Sequence, residues 1–242
     1  MLQLADICVD VGAGDYDHHM PGGNGQRDNG VPFASAGLVW RDFGDKVVRL
    51  VIPQAAENGT ISQIANLVDQ RLIQPIDQWD NGQRGESEDS FARVISAMNP
   101  FTVLGEELSN DDEFSEAVNY AELALLSIIR QAAAEAIGDH IVCTAEKPCA
   151  KLLVLPEFIP GLVDGGLDKF PQHEDVSLLV YPTQGSYRIH VRKGCQLLPE
   201  SWLDAEWKQQ HGSVVFVHPQ RFIAGVNDLE AAQELARLAL EG

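Results

Sequence analysis

Cations are what this 242-residue chain has least of: 17 Lys and Arg stand against 36 Asp and Glu, a formal net charge of −19. Sequence-independent affinity for nucleic acid comes from Lys and Arg displacing phosphate counterions, so a chain this acidic does not bind polyanions over its whole surface. A phosphate-bearing ligand needs a local device, such as a metal ion or a small basic patch. Cysteine is scarce too. Cys8, Cys143, Cys149 and Cys195 are too scattered for a disulfide framework and form no C-x-x-C pair, which suits a reduced cytoplasm. No uninterrupted apolar stretch approaches the ~20 residues of a bilayer crossing. The start MLQLADICVDVG also has no basic segment ahead of an apolar one, as a secretory signal would. With 45% hydrophobic and 22% charged residues the chain is globular. Its length provides for one large or two modest domains at ~150 residues each.

Along the chain, Ile7, Val9 and Val11 lie in a short apolar run that stops at Gly12 and Gly14, predicting a strand. A polar, glycine-dense loop follows from Met20, and ASAGLVWRDFG then reads as a helix whose start is marked by Ser35. Over residues 60–79 the spacing of Ile61, Ile64, Leu67, Val68, Leu72 and Ile76 is helical, with a dent or break at Pro75. A short helix over 90–98 closes at Asn99-Pro100. The longest helix runs from about 111 to 137, opened by a Ser-Asn-Asp-Asp cluster and closed by Gly138. Beyond Thr144 come strand signals: KLLVLP, SLLVYP, a Gln-Gly-Ser turn and the alternating YRIHV. A short helix near Trp202, the strand SVVFVHP, a connection through FIAG and a last helix in DLEAAQELARLAL complete the pattern. The expected organisation is an α/β amino-terminal domain, residues 1–145, and a smaller α+β carboxy-terminal domain, residues 146–242.

The densest chemistry lies in CVDVGAGDYDHHM, where Asp10 ends the strand and Asp17, His18 and His19 follow a glycine-containing link. Hard carboxylate oxygens mixed with imidazole suit divalent manganese, iron or cobalt better than the all-oxygen cages of calcium. In extended backbone His18 and His19 point to opposite sides, so that one binds a metal while the other faces a substrate. Two adjacent loop histidines are, alone, commonly surface residues. Asp10 favours the functional reading, because a carboxylate ending a buried strand lies where open α/β sheets hold ligands. Downstream, PIDQWDNGQ puts Asp77 and Asp80 on one helical face. The bland alternative is an acidic helix C-terminus, where the macrodipole disfavours negative charge; a cation nearby removes that conflict. Arg188, His190 and Arg192 share one strand face beside Lys193, a path for a phosphate backbone or simply a solvated face. Cys143, Cys149, Trp40, Trp79 and His218 read as ordinary packing residues without chemistry.

Taken in order, VDVG, YDHH, RDNGVPFASAGLVW, IDQWDNG, FARVISAMNP and FVHPQRFIAG resemble the melanocyte-proliferating-gene family of the DHH superfamily, over Asp6 to Leu240. That is a family of metal-dependent hydrolases whose eukaryotic members are 3′-5′ RNA exonucleases. The resemblance implies a DHH-type parallel-sheet domain followed by a smaller α+β substrate-binding domain. It implies Asp10, His18 and Asp80 as metal ligands, most simply for manganese, with His19 facing the scissile phosphate, Asp17 as its partner in catalysis, and Asp17 and Asp77 both behind the ligands. Arg27 and Ser35 are candidate phosphate contacts, Ser35 having a plain helix N-cap as its alternative; Arg188, Arg192 and Gly225 are the candidates in the second domain. Relatives carry a segment of the type T-H-x-G-x-F-H-x-D-D about one βα unit earlier, which supplies further ligands for two-metal chemistry. Without it the residues present are expected to hold one cation. The expected substrate is RNA or a short oligonucleotide, in the cytoplasm and with no membrane. A catalytically silent metal- or phosphate-binding protein and an esterase for a small phosphorylated substrate stand as alternatives.

Overall fold

The computed structural model describes residues 7–12, 14–19, 24–83, 90–99 and 111–241. It divides into two compact units, Met1–Ile137 and Gly138–Gly242.

Among the described residues the first unit is built from helices: α1 (Ser35–Val51), α2 (Gln54–Glu57), α3 (Ile61–Val68), α4 (Gln74–Asp80), α5 (Ser90–Ala97) and the greater part of α6 (Asp111–Thr144). Its core gathers Trp40 and Val48 from α1, Ile61, Ile64 and Val68 from α3, Leu72, and Ile129, Ala132 and Ala136 from α6. The Trp40 Nε1–H donates to the Ala65 carbonyl at 3.1 Å, tying α1 to α3 through a buried bond. Between α3 and α4 the chain widens into a π-helical turn, Asp69–Ile73. This is the dent expected at Pro75: proline donates no amide, and here it sits in the first turn of α4, where none is needed.

The parallel ladder expected near the amino terminus is represented, among the described residues, by a single parallel bridge between Val9 and Tyr16. Ile7, Val9 and Val11 are correspondingly exposed. The helix expected to stop at Gly138 continues to Thr144. A mid-helix glycine costs only ~1 kcal/mol, and the added turn carries Val142 into the core of the second unit. The division between units therefore falls inside α6. Ser109, Asn110 and Pro100, expected to open one helix and close another, lie outside the described residues. No described helix is long and apolar enough to cross a membrane.

The second unit holds a six-stranded sheet: β1 (Glu146–Cys149), β2 (Leu152–Val154), β3 (Leu178–Thr183), β4 (Ser186–Val191), β5 (Val214–Val217) and β6 (Ile223–Val226). The spatial order is β1-β2-β3-β4-β6-β5, and every neighbouring pair is antiparallel except β2 with β3. The molecule is thus mixed α/β with a mostly antiparallel sheet. One sheet face packs Leu152, Val180, Ile189 and Val191 against Ala232, Leu235 and Ala236 of α8 (Leu229–Glu241). The other packs Leu153, Leu179 and Tyr181 against Leu162, Val163, Leu167 and Phe170. A short helix near Trp202 is present as a 3-10 turn, Glu200–Leu203, and α7 (Ala205–Gln210). FIAG, expected as a connection, is β6 itself, hydrogen-bonded between β4 and β5.

Candidate metal centre

Asp10 adopts the left-handed backbone region, with φ 65°, which a short side chain able to bond locally tolerates best. Its amide donates to the Tyr16 carbonyl at 3.0 Å, closing the loop that returns Asp17 and His18 to its side. The Ser35 hydroxyl, from the first residue of α1, donates to Asp10 Oδ1 at 2.8 Å and lies 3.1 Å from His18 Nδ1. His18 Nδ1 is 3.3 Å from Asp10 Oδ1, and its Nε2 is 3.4 Å from Asp80 Oδ2 at the end of α4. Ligand atoms of Asp10, His18 and His19 all lie within 4.8 Å of one another. The structure therefore brings Asp10, Asp17, His18, His19 and Asp80 together.

The two histidines differ in setting. The His18 side chain is 10% exposed and the His19 side chain 62%. They were expected to face opposite sides; instead their rings lie 4.3 Å apart, 33° from parallel. Asp17 is the reason. Its Oδ1 accepts from the His19 amide at 3.0 Å and meets His19 Nδ1 at 2.9 Å, an Asx-type turn that folds the second ring back toward the first. The same hydrogen bond raises the His19 pKa above its ordinary value, partly offset by desolvation and aided by the charge of Asp10.

Asp77 and Arg27 make contacts of a different kind. Asp77 is fully buried; its Oδ1 accepts from the Gly37 amide at 2.9 Å, and its Oδ2 lies 2.8 Å from Arg27 Nη2. Arg27 in turn forks onto Asp69 through Nε at 2.7 Å and Nη2 at 2.6 Å, with its guanidinium 4.5 Å from the Phe33 ring centroid. The Arg27 side chain is only 8% exposed. This guanidinium, expected at a substrate phosphate, is engaged within the protein. Asp77 serves as the cap of α1: the helix has Ala34 at its N-cap position and no capping side chain from its own segment, so the carboxylate of α4 meets the orphan amide and the positive end of the dipole. Burial pushes the Asp77 carboxyl up from its ordinary pKa, while Arg27 and the Gly37 amide pull it down. Ser35, one residue past the N-cap position, points to Asp10 and His18.

In the second unit, Arg188, His190 and Arg192 make separate contacts. Arg192 Nη2 meets Asp168 Oδ1 at 2.5 Å, and its Nη1 donates to the carbonyls of His173, Glu174 and Val176. It staples a loop. Arg188 is half-buried; its guanidinium lies 5.0 Å from the Phe216 ring centroid, and its Nη1 donates to Ser186 Oγ at 2.8 Å. Gly225 is what lets these groups approach: a Cβ there would lie 2.5 Å from Phe216 Cε1 and 3.1 Å from Arg188 Nη1. Gly225→Ala should therefore destabilise the chain by about 1–3 kcal/mol through overpacking, read from urea unfolding; an unchanged midpoint would show that Phe216 swings aside freely.

His190 Nδ1 pairs with the Tyr181 hydroxyl at 2.8 Å, and burial lowers the His190 pKa, against a smaller opposing effect of Asp164. As pH falls below the ordinary histidine value of about 6.5, the unfolded chain takes up this proton before the folded one does, so stability falls through that window. The urea midpoint should drop between about pH 7.5 and about pH 5.5, and His190→Gln should remove part of the drop. An identical pH dependence in the variant would assign the loss to other groups.

Asp69 and Gly37, partners to Arg27 and Asp77, carry no signal in local spacing, because they lie in elements far apart in the chain.

A family model for MYG1 exonucleases, described as an uncharacterised protein family (UPF0160), matches residues 1–240. The chain is 25% identical to the MYG1 exonuclease of Rattus norvegicus, covering 99% of this chain and 74% of that protein. It is 24% identical to the MYG1 exonuclease of Homo sapiens, over 99% and 75%. With a MYG1 protein of Saccharomyces cerevisiae it shares 22% identity over 98% of this chain and 83% of that protein. No solved structure matches.

Proposed function

The chain belongs to the uncharacterised protein family UPF0160, and from that membership we propose that it is a metal-dependent phosphodiester hydrolase of the DHH type, acting on single-stranded RNA or short oligonucleotides. The observation that carries this reading is the convergence of three carboxylates on two adjacent imidazoles. His18 Nε2 and Asp80 Oδ2 stand 3.4 Å apart, close to the spacing of neighbouring ligands on an ion with bonds of about 2.1 Å. The donor set, carboxylate oxygen with imidazole nitrogen, fits manganese. The exonuclease names of the rat, mouse and human relatives support a nucleic-acid substrate.

In this reading Asp10, His18 and Asp80 hold the cation, which when bound polarises a phosphoryl oxygen and acidifies water. His19, exposed and held by Asp17, carries a proton within reach of a phosphate oxygen or the departing hydroxyl. Arg188 is the candidate for a further phosphate contact in its own unit.

The test is a labelled single-stranded RNA incubated with the full chain and manganese. Shortening from the 3′ end that a chelator stops is the expected result; turnover of pyrophosphate or a cyclic dinucleotide instead would replace the substrate class, and no turnover on any of these would overturn the proposal. Calorimetric titration should show no more than one tight manganese site.

A further inference from the structure

We propose that Ser35 is a positioning residue that fixes which nitrogen of His18 carries the proton, and so presents Nε2 as the metal-binding atom. The inference rests on the preceding reading of His18 as a ligand, but its argument is hydrogen-bond accounting. A serine hydroxyl has one proton to give and lone pairs to accept with. Asp10, as a carboxylate, only accepts, so the 2.8 Å contact between Ser35 Oγ and Asp10 Oδ1 uses the serine proton. The 3.1 Å contact between Ser35 Oγ and His18 Nδ1 is then a hydrogen bond only if Nδ1 is the donor, and Asp10 Oδ1, the second acceptor at that nitrogen, is farther away at 3.3 Å and already takes the serine proton. In the neutral ring Nε2 is left with its lone pair, facing Asp80 Oδ2 at 3.4 Å. Two acceptors face each other there with no proton between them, an arrangement a cation relieves and a metal-free protein tolerates at a cost.

The surroundings agree. Ser35 is buried, at 6% exposure. It is the first residue of α1, one past the N-cap position held by Ala34, so its hydroxyl has no capping bond to make. The amide of Gly37 is satisfied by Asp77 from α4 instead. Outer hydrogen bonds of this kind set the tautomer and ring orientation of metal-binding histidines in general.

The experiment reads the tautomer directly, in the metal-free full chain labelled with ¹⁵N-histidine, at a pH above the end of the histidine titrations seen in the same spectra. Long-range ¹H–¹⁵N correlations should show His18 protonated on Nδ1. Ser35→Ala should move it toward the Nε2–H form, which donates to Asp80, and Ser35→Thr should restore the original pattern. Manganese affinity by calorimetry should fall about 10–100-fold in Ser35→Ala and return in Ser35→Thr. Unchanged cross-peaks of His173 and His190, in the second unit, together with an unchanged far-UV circular dichroism spectrum, show that the variant is folded. An Nε2–H tautomer in the wild type, or no change on removing the hydroxyl, overturns the assignment. A tautomer that responds as stated in a protein that binds no manganese overturns the metal reading and leaves the role of Ser35 standing.

Discussion

Replacing Gly37 by alanine is expected to destabilise the chain by about 3–5 kcal/mol, the cost of breaking a buried ion pair by displacing one partner. The added Cβ would lie 1.9 Å from Asp77 Oδ2 and 2.8 Å from its Cγ. Neither side can give way cheaply: Gly37 is in the first turn of α1, and Asp77 is fully buried between the Gly37 amide and Arg27. Moving the carboxylate strands a helix amide and takes one counterion from a guanidinium that is itself buried. A double-mutant cycle separates this cause from ordinary helix propensity. In an Asp77→Ala background the two shortest clashes are gone, the approach to Phe33 Cδ1 at 2.9 Å remains, and alanine favours helix over glycine by ~1 kcal/mol, so the second substitution should cost clearly less than it does in the wild type. Urea unfolding of the four proteins reads the coupling. Strictly additive costs would mean that Asp77 and Gly37 do not act as a unit.

The same residues mark how far the sequence could be read. Two carboxylates one turn apart at the end of α4 conflict with the helix dipole, and that conflict is visible in IDQWDNG as a call for a cation. For Asp77 the cation is Arg27 and the dipole is that of a different helix. Nothing local names either, because the pairing depends on how α1, α4 and the loop before α1 pack. Arg27 is polar, loop-borne and near histidines, and so reads as a substrate contact; that its guanidinium is held between Asp69 and Asp77 is visible only in the structure. The elements that were legible have strong periodicity or a backbone constraint: the α3–α4 helical stripe with its distortion at Pro75, the alternating strand β4, and α8. FIAG was misread because it is short and contains glycine, the usual mark of a turn, whereas here Gly225 makes room for Phe216 and Arg188 over the sheet. The orientation of His18 and His19 failed for a related reason. Alternation holds for extended backbone, and a side-chain turn at Asp17 replaces it.

His18→Ala and Asp80→Ala are each expected to abolish tight manganese binding and to lower turnover by about 100–1,000-fold or more, the several kcal/mol a metal supplies at about 1.4 kcal/mol per tenfold. His19→Gln should do something different. Its ring nitrogen belongs to the same cluster as the Asp10 carboxylate oxygen and the His18 nitrogen, so proximity alone would make it a ligand. In the proposed reading it meets substrate instead, because its side chain is 62% exposed and its Nδ1 is already paired with Asp17 at 2.9 Å. A general acid in that position is worth about 100–10,000-fold in rate, whereas its removal leaves the Asp10, His18 and Asp80 donors in place. Turnover should therefore fall in His19→Gln while manganese affinity stays within a few-fold of wild type, measured by calorimetry on the same preparation. Parallel loss of metal and of turnover in His19→Gln would make it a ligand, and the division of labour between the two histidines would have to be reversed or abandoned.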